Sequence, residues 1–175
     1  MDARPIGVFD SGLGGLTVGR ELRRQLPDES IVYYGDIARL PYGTKSGAQI
    51  RRFSVENTEF LLRKGVKALV IACNSSSSAA FQVLLRRYRF PMVSVIEPAV
   101  QEALQRTRNK RIGIIGTPAT IESRVYEEAL RRKDPAVRVF TQSCPLFVPL
   151  VEEGWLKGGV AETVIRKYLR PMTEK

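Results

Sequence analysis

The segment "KALVIACNSSSSAAF" (residues 67–81) joins an apolar strand directly to a helix. Residues 67–72 are mostly small or β-branched apolar residues, a composition typical of a strand that is buried on both faces. Cys73 follows at the tip of this strand, and the pattern from Ser75 to Arg89 predicts a helix. A strand that leads into a helix, with no hairpin turn between them, indicates a parallel sheet with helical crossovers.

The same alternation of apolar runs and amphipathic stretches continues along the whole chain. Strands are predicted at residues 5–9, 31–35, 67–72, 92–96, 111–116 and 136–140. Helices are predicted at residues 16–26, 46–64, 75–89, 98–107, 119–132, near 146–153 and at 160–169. The predicted fold class is therefore α/β, with mostly parallel sheets flanked by helices.

A weak internal repeat predicts two pseudo-symmetric lobes. The stretches "IGVFDSGLGGLT" (residues 6–17) and "IGIIGTPATIES" (residues 112–123) share a strand, a tight turn and a helix start. We place the lobes at residues 1–96 and 97–175, since a strand ends there and Pro98 is suited to a first helical turn. The 63 positions from Asp10 to Cys73, counted on from Gly116, lead to position 179. We therefore expect the second lobe to lack its counterpart of the Cys73 strand.

Composition bounds the chemistry. The 175 residues are 43% hydrophobic, yet no apolar run approaches the ~20 residues of a membrane span. We see no signal peptide, and we expect Cys73 and Cys144 to be thiols in a cytoplasmic protein without membrane contacts. The sequence has no histidine. This excludes Ser-His and Cys-His mechanisms within the chain and most zinc sites, and we predict no bound metal.

The net charge of +10 raises the alternative of a basic binding protein. Arginine pairs occur at residues 23–24, 51–52, 86–87 and 131–132, each within a different predicted helix. They form no single block, and no aromatic-rich RNA-binding motif lies among them. We favour solvated helix faces over a nucleic-acid surface. Salt-dependent DNA binding would support the rival, because phosphate contacts weaken steeply with salt.

Ligands of open parallel sheets bind beyond the carboxyl ends of the strands, so the loops at those ends are the candidate sites. "DSGLGG" (residues 10–15) departs from the dinucleotide fingerprint, which would need glycine where Thr17 stands. Two interpretations stay open for its glycines: a loop whose N–H groups face a small anion, and a plain tight turn. Asp10 at the strand tip favours a site. "PYG" (residues 41–43) is consistent with a simple turn before a helix.

Cys73 is the strongest candidate for chemistry. A thiol at a helix N-terminus is expected to have a lowered pKa, because the backbone N–H groups and the macrodipole favour thiolate. Asn74 and Ser75 to Ser78 would supply the N-cap and further donors, which are also able to hold a carboxylate. The alternative is a small buried cysteine. A thiolate in a carboxylate-binding pocket points to cofactor-free proton abstraction next to a carboxyl group, which needs a second acid or base on the opposite face.

Five motifs carry a family resemblance over nearly the whole chain. "GVFDSGLGGLTV", "YYGDIARLPYG", "ACNSSSSAA", "IGIIGTPATI" and "CPLFVPLVEEG" closely resemble the glutamate racemases of the aspartate/glutamate racemase superfamily. The resemblance implies a two-base interconversion of L- and D-glutamate for peptidoglycan synthesis, without a cofactor. It also implies glutamate as the small-molecule partner and allows a homodimer of the full-length form. An aspartate or hydantoin racemase is the alternative within the superfamily, and "DSGLGG" with "PYG" favours glutamate.

The resemblance also assigns roles to individual residues. Cys73 matches the first catalytic cysteine and Asp10 the carboxylate that assists it. Glu152 matches an acidic catalytic residue, with Glu153 as the neighbouring alternative. The substrate-binding positions that match are Asp10, Ser11, Pro41, Tyr42, Gly43, Asn74 and Ser75.

Two departures from the family pattern qualify this assignment. Ser75 stands where members usually carry threonine, which keeps the hydroxyl and loses a methyl group. The second family motif, Gly-Cys-Thr-His, is expected soon after Lys175, so the chain would carry one catalytic thiol. Cys144 matches a non-catalytic cysteine. We therefore expect this chain to racemise glutamate poorly, while Cys73 exchanges the α-proton on one face.

Overall fold

The protein is described by a computed structural model over residues 2–173. Six strands form two parallel sheets: β1 Ile6–Asp10, β2 Ile31–Gly35, β3 Ala68–Ile71, β4 Met92–Ser94, β5 Arg111–Gly116 and β6 Arg138–Ser143. The first sheet has the order β2-β1-β3-β4, and the second pairs β5 with β6. The predicted α/β class with parallel sheets is confirmed.

Helices follow almost every strand. They are α1 Leu16–Gln25, α2 Gly47–Arg63, α3 Asn74–Arg87, α4 Ile96–Arg106, α5 Pro118–Glu122, α6 Val125–Lys133, α7 Phe147–Glu152 and α8 Gly159–Thr173. A short 3₁₀ turn at Tyr42–Thr44, which the sequence analysis did not separate from a plain turn, precedes α2. Ser46 caps α2 with a reciprocal capping box to Gln49, which explains why this helix begins where the sequence predicts.

The first sheet is covered on both faces because its central strands alternate apolar side chains between them. Phe9 and Ile71 point into a cluster with Leu61 and Leu84 of α2 and α3. The residues that precede Phe9 and Ile71, Val8 and Val70, pack instead against the α1 side chains Val18 and Leu22. Continuous burial of this kind explains the unbroken apolar runs in the sequence.

The second sheet has its own cluster of buried residues. Ile112 of β5 packs with Ile96 and Val100 of α4 and with Leu130 of α6. Helix α4 therefore contributes to the core of the second half, although it begins at Ile96, two residues before the predicted start. The division of the chain into lobes at residues 96 and 97 stays a prediction.

The predicted single helix at residues 119–132 is wrong, because the structure has two helices there. Ser123 ends α5: its hydroxyl donates to the Thr120 carbonyl over 2.7 Å and accepts from the Val125 amide over 3.4 Å. Arg124 then adopts a left-handed conformation with φ of 56°. The amphipathic sequence pattern continues through this position and gives no sign of the break. The helix breaks because the side chain of Ser123 competes locally with the helical hydrogen bonds.

The arginine pairs lie on four separate helices, as predicted. One member of each pair has a carboxylate partner: Arg24 with Glu21, Arg52 with Glu56, Arg87 with Glu59 and Arg131 with Glu127. These ion pairs favour the interpretation of the charge as ordinary helix surface. Within residues 2–173, none of the helices is both long enough and apolar enough to cross a bilayer.

We expect Gly43→Ala to destabilise the fold by about 1–3 kcal/mol, the range for forcing atoms into a packed site. A Cβ built on Gly43 would overlap the side chain of Thr117, across the contact between the two halves. Gly19→Ala is the matched control, because a Cβ there meets nothing within 4 Å. Ala favours a helix interior over Gly, so this control should gain about 0.5–1 kcal/mol. Urea unfolding measures both, and equal effects would contradict the packing argument.

Candidate active site

The order of the first sheet creates a switch point between β1 and β3. From β1 the chain crosses outward to β2 on one side, and β3 then lies on the other side of β1. Asp10 ends β1, and Cys73 follows β3 by two residues. Phe9 and Ile71 are partners in the register of β1 and β3. Asp10 and Cys73, which follow them, therefore lie at the adjacent ends of these two strands. This is the crevice in which open α/β sheets bind ligands.

A cavity of about 490 Å³ opens at this point, and residues of the second half of the chain, among them Thr117 and Tyr126, line part of it. Six residues predicted from the sequence line it together: Asp10, Ser11, Cys73, Asn74, Ser75 and Glu152. Glu153 does not line this cavity, so the structure separates the two neighbouring glutamates. Pro41, Tyr42 and Gly43 also lie outside the lining.

The carboxylate of Asp10 occupies the glycine loop. It is 7% exposed, and its Oδ2 accepts hydrogen bonds from the amides of Gly12 and Gly15 at 3.1 and 3.0 Å. The Tyr33 hydroxyl donates to the Gly12 carbonyl at 2.8 Å and braces the same loop. Of the two interpretations left open, an anion does bind these amides, but the anion is the protein's own carboxylate.

Cys73 is itself the N-cap of α3, where the sequence analysis expected the residues after it. Its Sγ accepts a weak hydrogen bond from the Ser76 amide at 3.4 Å, and the residue is 4% exposed. The predicted lowering of its pKa is wrong. Burial raises the pKa of the Cys73 thiol above its ordinary value, and the negative charge of Asp10 raises it further. The helix N-terminus opposes this shift without overcoming it.

Residues 74–78 at the start of α3 differ in where their side chains lie. Asn74 and Ser75 line the cavity, and their role as carboxylate donors stays a prediction. Ser77 instead donates its hydroxyl to the Ile71 carbonyl at 3.0 Å, which ties α3 to the end of β3. Ser76 and Ser78 do not line the cavity, and their hydroxyls are buried without a protein partner among the described residues. The side chains of Ser76–Ser78 are therefore not donors to the cavity, although the Ser76 amide donates to Cys73.

The "PYG" turn reaches the cavity only through its neighbours. The Tyr42 hydroxyl donates to the buried Asp36 carboxylate and accepts from Asn57 at 3.1 Å. Burial raises the pKa of Tyr42, so the phenol stays protonated. Gly43 packs against Thr117, which lines the cavity. The substrate-binding roles of Pro41, Tyr42 and Gly43 stay predictions.

The second half contributes residues that the sequence analysis did not select. Thr117 shares a 3.0 Å hydroxyl contact with Ser75, and the Tyr126 hydroxyl donates to Asn74 Oδ1 at 2.6 Å. Thr117 lies in the strand-end loop "GTPAT", so the rule that selected the other loops also points to it. Tyr126 could not be selected from the sequence, because its orientation depends on the helix break at Ser123 and Arg124, and a continuous helix was predicted there.

Glu152 lies at the end of α7 and approaches the glycine loop. A Cβ built on Gly12 would lie 3.4 Å from Glu152 Oε1. The loop that holds Asp10 is therefore adjacent to a second carboxylate. In residues 2–173, no group of three or more His, Cys, Asp or Glu side chains is arranged to hold a metal ion.

Cys144 does not line this cavity. It is buried, and its thiol donates to the Gln142 carbonyl over 3.6 Å. It lines an adjoining groove of about 410 Å³ along β5, which shares Asn74, Thr117 and Tyr126 with the cavity. Burial raises the pKa of Cys144 as well. These contacts agree with a packed thiol, and its non-catalytic role stays a prediction.

Residues 7–173 match the model of the Asp/Glu/Hydantoin racemase family. The chain belongs to this family. Glutamate racemase of Geobacter metallireducens is 47% identical over 174 residues, which is 99% of this chain and 64% of that protein. This chain thus spans about two thirds of the length of the racemases it matches.

Solved structures of racemases have the same fold. The crystal structure of glutamate racemase isoform RacE1 from Bacillus anthracis has a TM-score of 0.96 at 39% identity, over 100% of this chain and 66% of that one. Glutamate racemase from Francisella tularensis in complex with D-glutamate has a TM-score of 0.91 at 43% identity, over 97% of this chain and 64% of that one.

The raised pKa of Cys73 predicts slow alkylation. In a Cys144→Ser background, we expect the rate of the reaction of Cys73 with iodoacetamide to increase about tenfold per pH unit. This increase should continue to above pH 9.0, the ordinary pKa of a thiol. Asp10→Asn removes the nearby negative charge and should move the profile to lower pH. Its amide oxygen is still able to accept from Gly12 and Gly15.

The pH midpoint of this profile separates acidity from access, because burial alone slows alkylation at every pH. N-acetylcysteine serves as the reference thiol. A midpoint below that of the reference would show that the helix N-terminus lowers the pKa of Cys73 by more than burial and Asp10 raise it, contrary to the structure.

Proposed function

We propose that this chain carries the glutamate-binding, Cys73-bearing part of a cofactor-independent glutamate racemase that supplies D-glutamate for peptidoglycan. The observation that carries the proposal is the convergence of Cys73, Asp10 and the donors Asn74 and Ser75 on one cavity at the sheet switch point. Similarity to racemases named for glutamate favours this substrate over aspartate or a hydantoin. We also place the reaction in the cytoplasm, in keeping with two free thiols.

The raised pKa of Cys73 suits the chemistry. The α-proton of an amino acid is a weak acid, and a thiolate of higher pKa is a stronger base toward it. Asp10 raises the thiol pKa while the cavity is empty. The ammonium group of a bound amino acid would supply the opposite charge beside Asp10 and stabilise the thiolate. Deprotonation of Cys73 is thereby coupled to substrate binding.

Polar side chains of α3 supply the donors for the substrate. Asn74 and Ser75 lie directly after Cys73, so a carboxylate that they hold places its α-carbon next to the thiol. A cavity of about 490 Å³ is within the size range for small ligands. Glu152 at the cavity rim is the acidic residue that we assign to proton transfer together with Asp10.

Racemisation by two bases needs a second group on the opposite face of the α-carbon. Among residues 2–173, Cys73 is the thiol that lines the cavity, and Cys144 lines the adjoining groove instead. We propose the lobes 1–96 and 97–175, with a further parallel strand beside β5 completing the second. The repeat supports this, since β1 pairs on both sides and β5 pairs with β6 on one. A homodimer of the full-length form stays a prediction.

The direct test is α-proton exchange. We expect the chain to exchange the α-proton of one glutamate enantiomer with deuterated water by NMR, without inversion by circular dichroism. Cys73→Ala should abolish this exchange, since it removes the base, whereas Cys144→Ala should leave it intact. Aspartate should exchange more slowly than glutamate.

Three outcomes would contradict the proposal. Exchange that survives Cys73→Ala would assign the base to another group. Binding of aspartate, but not glutamate, in calorimetry would assign a different substrate. Inversion that depends on Cys73 would contradict the single-base character of this chain.

A further inference from the structure

We propose that Tyr126 is a positioning residue for substrate binding: its hydroxyl fixes the side-chain amide of Asn74 so that Nδ2 is presented to the cavity as an anion donor. This inference rests on the proposed function, since it names how the glutamate carboxylate is recognised. It assigns a role to a side chain of the second half that touches the first half at the residue next to Cys73.

The contact is short and joins distant parts of the chain. The Tyr126 hydroxyl donates to Asn74 Oδ1 at 2.6 Å across 52 positions of sequence. Both residues line the cavity that contains Cys73 and Asp10. Asn74 is the first residue of α3, so its backbone is held by the helix while its amide remains able to rotate.

The chemistry of the amide makes its orientation matter. An asparagine side chain has one acceptor oxygen and two N–H donors, and the two ends are nearly the same shape. With Oδ1 engaged by Tyr126, the donors remain, and within residues 2–173 Nδ2 has no hydrogen-bond partner. Rotation by a half turn would present an oxygen to a carboxylate, which repels it. A fixed amide therefore selects an anion over a cation at this position.

The phenol is suited to hold the amide in one orientation. Burial raises the pKa of Tyr126 to about 12, so the hydroxyl keeps its proton at neutral pH and donates. The ring packs at the edge of the second cluster, whose buried members include Val100 of α4 and Ile112 of β5. The left-handed Arg124 starts α6 at Val125 and so determines where this ring lies. The orientation of Asn74 is thus imposed from outside its own helix.

A double-mutant cycle tests this role through binding of L- and D-glutamate by calorimetry. Tyr126→Phe keeps the ring and removes the hydroxyl, and should weaken binding by about 3- to 10-fold, the range for one hydrogen bond. Asn74→Ala should weaken binding at least as much. In the Asn74→Ala background, Tyr126→Phe should have no further effect, because the positioned group is gone.

The control is Tyr88→Phe, which removes a hydroxyl that donates to Glu59 at 2.8 Å far from the cavity. It should leave glutamate binding unchanged. Thermal unfolding of each variant identifies any loss that reflects the fold instead. An equal loss from Tyr126→Phe in both backgrounds would show direct contact with the substrate and overturn the positioning role.

A second readout needs no substrate. The NMR signals of the two Asn74 Nδ2 protons are assigned by their loss in Asn74→Ala. In the ligand-free protein these signals should show an amide held in one orientation. In Tyr126→Phe they should show an amide that rotates freely. Signals that are unchanged in Tyr126→Phe would overturn the inference even if glutamate binds. If Tyr126→Phe frees the amide but the unmutated chain binds no glutamate, the proposed function is refuted, while the effect of Tyr126 on Asn74 is confirmed.

Discussion

The hydrogen bonds from Gly12 and Gly15 to the Asp10 carboxylate are the constraint on which the site depends. They hold a negative charge at the end of β1, where burial would otherwise make a carboxylate costly. Amide dipoles compensate the charge, and Asp10 has no ion pair with a Lys or Arg side chain in the part of the chain that the structure describes. The charge therefore remains available to the neighbouring thiol and to a cationic group of a ligand. The same pair of hydrogen bonds thus shapes the loop and holds the charge that adds to the effect of burial on the pKa of Cys73.

The cavity is a joint product of both halves of the chain. The first half supplies the thiol and the buried carboxylate, while Thr117 and Tyr126 of the second half touch the side chains of Ser75 and Asn74. Gly43 allows the two halves to approach closely at Thr117. Motion between the halves would therefore change the donors around a ligand without disturbing Cys73 or Asp10.

Most of the fold could be predicted from the sequence, because buried parallel strands appear as continuous apolar runs. The strand-end rule also found Asp10 and Cys73, since the topology brings such loops together. The break at Arg124 was missed because a local side-chain hydrogen bond overrides an unbroken amphipathic pattern. The pKa of Cys73 was predicted in the wrong direction, since helix position is local in sequence whereas burial depends on tertiary packing. Tyr126 was missed for the same reason as the break.

The pairing of β1 with β3 has a consequence for the order of folding. Asp10 and Cys73 are 63 positions apart, and their strands become neighbours only when the intervening chain has closed a long loop. Closure of this loop costs entropy before any contact across it compensates. Helices α1 and α2 are able to form early from local contacts, whereas the cavity exists only after β3 has joined β1. A nascent or partly folded chain thus carries a thiol without its paired carboxylate, and reactivity at Cys73 reports on completion of the central sheet.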